Sequence, residues 1–353
     1  MAVGERRETR MEEPTTADID SALRSEVPAR YRDALAKADF PLDKLRELGR
    51  IRPGRISADL LLTACSLAAV PLAYAAVPGP LMFVICFTLS LRSFNCLAQL
   101  VHTSDHGGLF RSARLNRIVG NVCAYCLGYT RTGHRLTHLN HHLYLNTERD
   151  PDRIWGAPDQ STRALFRMWL RDFFALSAAE RLLQYSQSDR KTFSVAPWKQ
   201  LTPGFLAHGL FVMLPVLVTH GLILAFYAVA VGPVFYFALY VLPILTIYPA
   251  QIRLRSTVEH SFDVGYRPLT RQDRWVSRST AANLIERFVF SPFGIHHHFE
   301  HHLFPAIPHY NLGRVHRLLL ERGVPVPITR GYLAFVLEKI RAERLAVAAT
   351  ELT

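Results

Sequence analysis

Four long apolar runs decide what this chain is able to become. Residues 60–77, 81–100, 205–231 and 234–252 carry almost no charge, and each is long enough to cross a hydrocarbon core of ~30 Å as a helix. The runs come in pairs, broken at Pro78-Gly79-Pro80 and at Gly232-Pro233. Turns that short imply two helical hairpins. A soluble helix of this length ordinarily keeps a polar face, which these runs lack. The expected fold class is therefore all-α and integral to a membrane: four transmembrane helices in two hairpins, with the polar segments folded into a helical cap on one side.

The basic residues choose the side. Of 41 Lys and Arg, 12 precede Leu60, 14 lie between Val101 and Pro203 and 14 follow from Arg253, which leaves Arg92 alone inside a run. Neither short turn is charged. Basic loops stay cytoplasmic, so both termini and the central loop are expected there, in an inner or cytoplasmic membrane. The net charge of +12 then belongs to one membrane face, for which anionic headgroups are a sufficient partner and nucleic acid is not needed. Residues 1–28 read as a disordered tail, 29–56 as an amphipathic segment lying on the membrane surface, 57–323 as the main domain and 324–353 as a C-terminal cytoplasmic helix or tail.

Five cysteines, three of them inside the runs, form no disulfide framework. Cys123 and Cys126 make a C-x-x-C without a second pair, read as packing rather than as a zinc or redox site. His208 and His220 lie within the third run, where hydrogen bonds to a neighbouring helix are expected.

The other fourteen of the sixteen histidines fall in the two polar segments. They cluster as His102-x-x-x-His106, His138-x-x-His141-His142 and His298-x-x-His301-His302. Residues three and four apart share a helix face, so each cluster is able to aim two or three imidazoles at one point. A single such pair is weak evidence of metal binding, whereas three clusters with a repeated spacing are strong evidence. Imidazole suits Fe, Cu, Zn and Ni alike. Eight or more ligands exceed what one four-coordinate zinc takes and suit two ions with open positions. A membrane zinc hydrolase or a metal transporter fits less well, because the ligands are too many for the first and gather on one side for the second.

These boxes, together with Phe110, Asn116 and Gly120, Asp150-Pro151-Asp152, the tail from His298 to Pro305, and Pro308, Tyr310, Leu312 and His316, resemble the membrane fatty acid desaturase superfamily over roughly residues 60–323. The resemblance implies a non-haem di-iron centre and adds a ninth ligand, His260, after the fourth run. The implied metal ligands are His102, His106, His138, His141, His142, His260, His298, His301 and His302. Some members place a water-holding asparagine four residues before that ninth histidine, where this chain has Ser256. Box one carries its acidic residue at Asp105 rather than directly after the first histidine, and His296-His297 precede box three where relatives have other residues; we read these two as plain substitutions.

Metal-bound imidazoles usually donate their second N–H to a carboxylate or carbonyl. Asp105, His134, Asp150, Asp152, Glu259 and Glu300 are the candidates to orient the ligand rings. Arg92, Asn95 and Gln99 form a polar stripe leading toward His102 that either lines a substrate channel or braces the bundle. The implied reaction is O2-dependent desaturation of a fatty acyl chain, lipid- or carrier-bound; the alternative within the superfamily is a hydroxylase or ketolase acting on a lipid, carotenoid or small amino-acid-like substrate. Neither a dinucleotide fingerprint nor a fused haem-binding motif is expected from the sequence, so electrons are expected from an external ferredoxin-like protein or a cytochrome b5.

Overall fold

The computed structural model of the chain describes residues 27–154, 161–185, 203–262 and 270–351. The 1–28 segment lies outside these residues except for its last two positions. In chain order the helices are α1 (Ala29–Lys37), α2 (Leu42–Gly49), α3 (Pro53–Ala76), α4 (Pro80–Asp105), α5 (Ala113–Cys126), α6 (Arg131–Tyr144), α7 (Thr162–Phe173) and α8 (Leu176–Tyr185). They continue as α9 (Pro203–Ala230), α10 (Pro233–His260), α11 (Leu284–Val289), α12 (His298–Leu303), α13 (Leu312–Glu321) and α14 (Tyr332–Glu351). Among the described residues the one departure from helix and loop is a parallel ladder of two residues per strand, β1 (Ser279–Thr280) against β2 (Ile328–Thr329).

Helices α3, α4, α9 and α10 are long and apolar enough to cross a membrane. Outward-facing side chains such as Val229, 90% exposed, and Phe211 would be costly in water and are at home against lipid. Facing inward, Phe94, Leu97, Leu100 and Val101 of α4 pack with Leu239, Tyr240 and Ile244 of α10 and with Cys123 and Ala124 of α5. Cys86 of α4 donates to the Val70 carbonyl of α3, 3.4 Å away. Between α9 and α10 Gly232 takes a φ of +104°, a conformation only glycine adopts without strain, and Pro233 starts the next helix where its missing N–H costs nothing. His220 of α9 meets the Tyr236 hydroxyl of α10 at 2.7 Å; the side chain of His208 lies outside the described part.

The helices overrun the apolar runs: α3 starts at Pro53 rather than residue 60 and α4 ends at Asp105 rather than residue 100. The fourth apolar run ends at residue 252, yet α10 continues to His260. The extension is stable because its charges are covered by protein: Arg253, buried, donates to both carboxylate oxygens of Asp172 on α7, at 2.5 and 2.8 Å, and to Ser177 at 3.2 Å. One turn of wider helix at Phe237–Val241 lies just before Pro243, whose missing N–H would leave a carbonyl of the preceding turn without its usual donor.

The amphipathic segment 29–56, expected on the membrane surface, holds two helices, α1 and α2, separated at Asp39-Phe40-Pro41. Asp39 has a φ of +44°, and the residue before a proline avoids helical geometry. Its apolar side chains are spent on protein. Tyr31, Leu35, Phe40, Leu45 and Leu48 are buried with Phe299, Leu303 and Phe304 of the box-three region and with Leu312, Val315 and Leu319 of α13. Tyr31 meets Phe299 edge-on with centroids 5.1 Å apart, and Phe40 stacks on Phe304 at 5.9 Å. The N-terminal helices thus clamp the element that carries the third histidine cluster.

Candidate metal centre

Box one closes α4, box two lies on the C-terminal half of α6, His260 ends α10 and box three forms α12. Gly120 of α5 lets these elements meet: a Cβ there would fall on Ser104 of α4 and on the Arg131 side chain at the start of α6. Arg131 in turn donates to Ser104 Oγ at 2.7 Å. Asn283, accepting from the Glu286 N–H while the Glu286 carboxylate accepts from the Asn283 N–H, caps α11 and fixes the loop leading to box three.

The nine candidate histidines gather into two adjoining groups: His102, His106, His138, His142 and His301 in one, His141, His260, His298 and His302 in the other. Within each group the ligand nitrogens lie within 4.8 Å of one another. The rings face each other through Nε2: His106 to His138 at 2.7 Å, His142 to His138 and to His301 at 3.1 Å, His298 to His260 at 2.9 Å and to His302 at 3.1 Å. Ligands ~2.1 Å from one metal and at right angles sit ~3.0 Å apart, so this spacing suits imidazoles converging on an ion. Burial holds His106 down at about 3 and His138, His142, His298, His301 and His302 well below the usual imidazole range. They are neutral, the form in which histidine binds metal. The residues therefore fit two ions, one against five nitrogens and one against four. An all-imidazole set does not by itself select the metal.

The far nitrogens are held unequally. His141 Nδ1 lies 3.0 Å from Asp150 Oδ1, and Asp150 is steadied by the N–H groups of Asn146 (2.8 Å) and Asp152 (2.9 Å), so Asp152 serves through its backbone. His260 Nδ1 donates to the Val276 carbonyl at 2.8 Å, which turns Nε2 toward His298. Glu259 stands 3.6 Å from His298 Nδ1 and also accepts from Arg255 and from the Tyr332 hydroxyl, both at 3.3 Å. Asp105 does not touch a candidate ligand. It binds His134 Nδ1 at 2.6 Å, and the His134 ring stacks on His138 with centroids 5.9 Å apart. Glu300 points away from the two groups: it takes His316 Nδ1 at 2.6 Å and the hydroxyl of Ser279, with His297 4.0 Å off, and it ties α12 to α13 and β1.

Of the polar stripe, Asn95 donates to Gln251 Oε1 at 2.9 Å and to the Val289 carbonyl at 3.1 Å, joining α4, α10 and α11, and Arg92 lies over the Phe288 ring at 4.9 Å. Gln99 instead lines a small cavity with His102, Thr103, His106, His301 and His309. Cys123 and Cys126 belong to none of the potential metal groups among the described residues, and burial pushes their thiols up to about 12 and about 11, where they stay protonated. One polar chain escaped the sequence reading: Thr103, His309 and Asp59 are hydrogen-bonded in line, although they are distant in sequence and no spacing connects them.

Four helices long and apolar enough to cross a membrane, together with two imidazole groups gathered from the ends of α4 and α10 and from α6 and α12, define an integral membrane protein whose residues could hold metal. Residues 44–330 match the fatty acid desaturase family, and the chain belongs to that family, whose members are desaturase-type oxidoreductases. It is similar to an omega-3 fatty acid desaturase of the endoplasmic reticulum from Vigna radiata var. radiata, 24% identical over 236 residues, which cover 62% of this chain and 60% of the relative. The chain thus aligns with about three fifths of that relative's length.

Proposed function

We propose that the protein desaturates a fatty acyl chain with dioxygen, removing two hydrogens to leave a double bond. The observation that carries this reading is the pair of adjoining all-histidine groups beside the ends of α4 and α10. In it, His102, His106, His138, His142 and His301 would hold one iron and His141, His260, His298 and His302 the other. When bound, two irons supply the dioxygen activation that an unreactive C–H bond requires. The protein's own part is orientation: Asp150 and the Val276 carbonyl hold His141 and His260 by Nδ1, leaving Nε2 for the metal. The Asp105–His134 pair steadies the His138 ring from behind. Burial of the whole second group and of His138, His142 and His301 in the first limits the water around the site. Gln99, on the cavity wall beside His102 and His106, is placed to meet a substrate chain, whereas Asn95 braces the bundle.

The purified protein is expected to hold about two irons per chain, the number that nine ligands with open positions suit. Lipids from cells that express it are expected to gain a double bond by mass spectrometry. One zinc and no iron, or a hydroxylated product in place of the alkene, would overturn the assignment.

In this reading the four helices form two hairpins, and the histidine-bearing segments share the cytoplasmic face with both termini, where the basic residues would receive an acidic one-electron donor protein. Accessibility tags at Met1 and Thr353 are expected to react from the cytoplasm and tags at Gly79 and Gly232 from the opposite side. Labelling of Gly79 from the cytoplasm would contradict this orientation.

A further inference from the structure

We propose that His297, Glu300 and His316 form a third metal site, separate from the two histidine groups, that takes one zinc-type divalent cation and staples α12 to α13. Each of the three offers one donor atom, all within 4.8 Å of one another, and none belongs to the nine candidate ligands. The site goes beyond the desaturase reading and does not depend on it. It gives a role to His297, which the sequence alone presents as a plain substitution.

The site is built between α12 and α13. His297 immediately precedes α12, Glu300 lies within it and His316 lies on α13. Gly313 and His316 are three residues apart and share a face of α13. The glycine makes room for the first histidine: a Cβ at 313 would stand 3.1 Å from His297 Nε2. One turn on, His316 Nδ1 lies 2.6 Å from Glu300 Oε1, and the His297 and His316 ring centroids are 4.8 Å apart. The other carboxylate oxygen, Oε2, is 4.0 Å from His297 Nδ1 and accepts from the Ser279 hydroxyl. Donors ~2.1 Å from a tetrahedral ion stand ~3.4 Å apart, and the separations of 2.6 and 4.0 Å bracket that value. His297 Nδ1 is buried and has no hydrogen-bond partner among the described residues. A buried ring nitrogen left idle is costly, and a cation beside Glu300 would engage it.

Two imidazoles and one carboxylate are the donor set of zinc sites that keep a position open for water. The imidazoles suit Ca2+ and Mg2+ poorly, and the thiolates that favour Cu(I) are not part of the group. Glu300 is fully buried while the His297 and His316 side chains are 17% and 18% exposed, so a cation and a fourth, water ligand reach the site from solvent. Successive helix residues point ~100° apart, which sends Glu300 to the side away from His301. The ion therefore braces the third histidine cluster from behind. The rival account is a hydrogen-bonded strut, in which His316 donates from Nδ1 to Glu300. It explains that contact and leaves His297 Nδ1 without a role. With the ion bound, His316 presents the Nδ1 lone pair and carries its proton on Nε2, the opposite tautomer.

The test uses the full-length, iron-loaded protein, freed of any metal-binding tag, incubated with zinc chloride and then desalted. Zinc and iron per chain, zinc affinity, melting temperature and zinc K-edge X-ray absorption are measured for the wild type, His297→Gln and His316→Gln. We expect the wild type to take up one zinc per chain without losing iron and to melt higher with zinc than without it. Each variant should keep its iron and bind this zinc at least ~100-fold more weakly, since losing a partner that only orients a ligand already costs ~10 to 100-fold. The absorption spectrum should report two imidazoles and two oxygen ligands. No zinc uptake, uptake only as iron is released, or an affinity that neither variant alters overturns the site and leaves the strut. If both variants fail to fold, the wild-type spectrum decides: a shell of more than two imidazoles places the zinc in the histidine groups and overturns the site. A wild type that forms no alkene yet binds this zinc, and loses it in His316→Gln, overturns the desaturase reading alone.

Discussion

Replacing His301 by alanine is expected to abolish turnover and to reduce bound iron to about one equivalent per chain, while the protein still enters the membrane. His301 Nε2 lies 3.1 Å from His142 Nε2, and its ring centroid is 4.2 Å from His102 and 4.9 Å from His106, so it stands where three other ligands converge. Losing a partner that only orients a ligand weakens metal binding by ~10 to 100-fold, and losing a ligand should exceed that. Insertion should survive because α12 is not one of the four membrane-crossing helices. Metal analysis alongside product analysis distinguishes the cases. A His301→Ala protein with full iron and normal product would remove the residue from the ligand set.

Alanine at His260 is expected to cost iron and activity as severely as a change within the boxes. This histidine stands outside any H-x-x-H-H spacing, but it packs among the second group, with ring centroids 4.8 Å from His141, 4.8 Å from His298 and 4.9 Å from His302. The Val276 carbonyl fixes its tautomer, which a solvent-facing interfacial histidine would not require. Iron stoichiometry and rate in the His260→Ala protein are the measurements; full occupancy with near-normal turnover would show that eight ligands suffice.

Apolar run length was enough to locate the four long helices to within a few residues at most ends, since a bilayer imposes a length that composition must honour. The histidine clusters were legible for the same local reason: i, i+3 and i+4 positions share a face whatever the tertiary fold. Partnerships across the chain were not. Nothing in the sequence pairs Asp105 with His134 rather than with a box histidine, or turns Glu300 toward His316, because both depend on how separate elements pack. The run ending at 252 hid the rest of α10 because its charges read as loop when their partner, Asp172, is 81 residues away. The 29–56 segment was legible only in part: an apolar stripe records that it is covered and not by what, and here Phe299 and Phe304 pack against it.

The linkage of distant segments also bears on how the protein is made. His142 meets His301 across 159 residues, and neither group is complete until α12 has been synthesised. A ribosome-bound chain that has emerged only as far as α9 holds four of the five histidines of the first group and one of the four of the second. Closing so long a loop is entropically costly and slow, and the gain from metal arrives only once it closes. If the two groups hold metal as proposed, full loading would come last, after all four long helices have been made. The clamp of α1 and α2 on Phe299 and Phe304 gives the first-made segment a part in that last step.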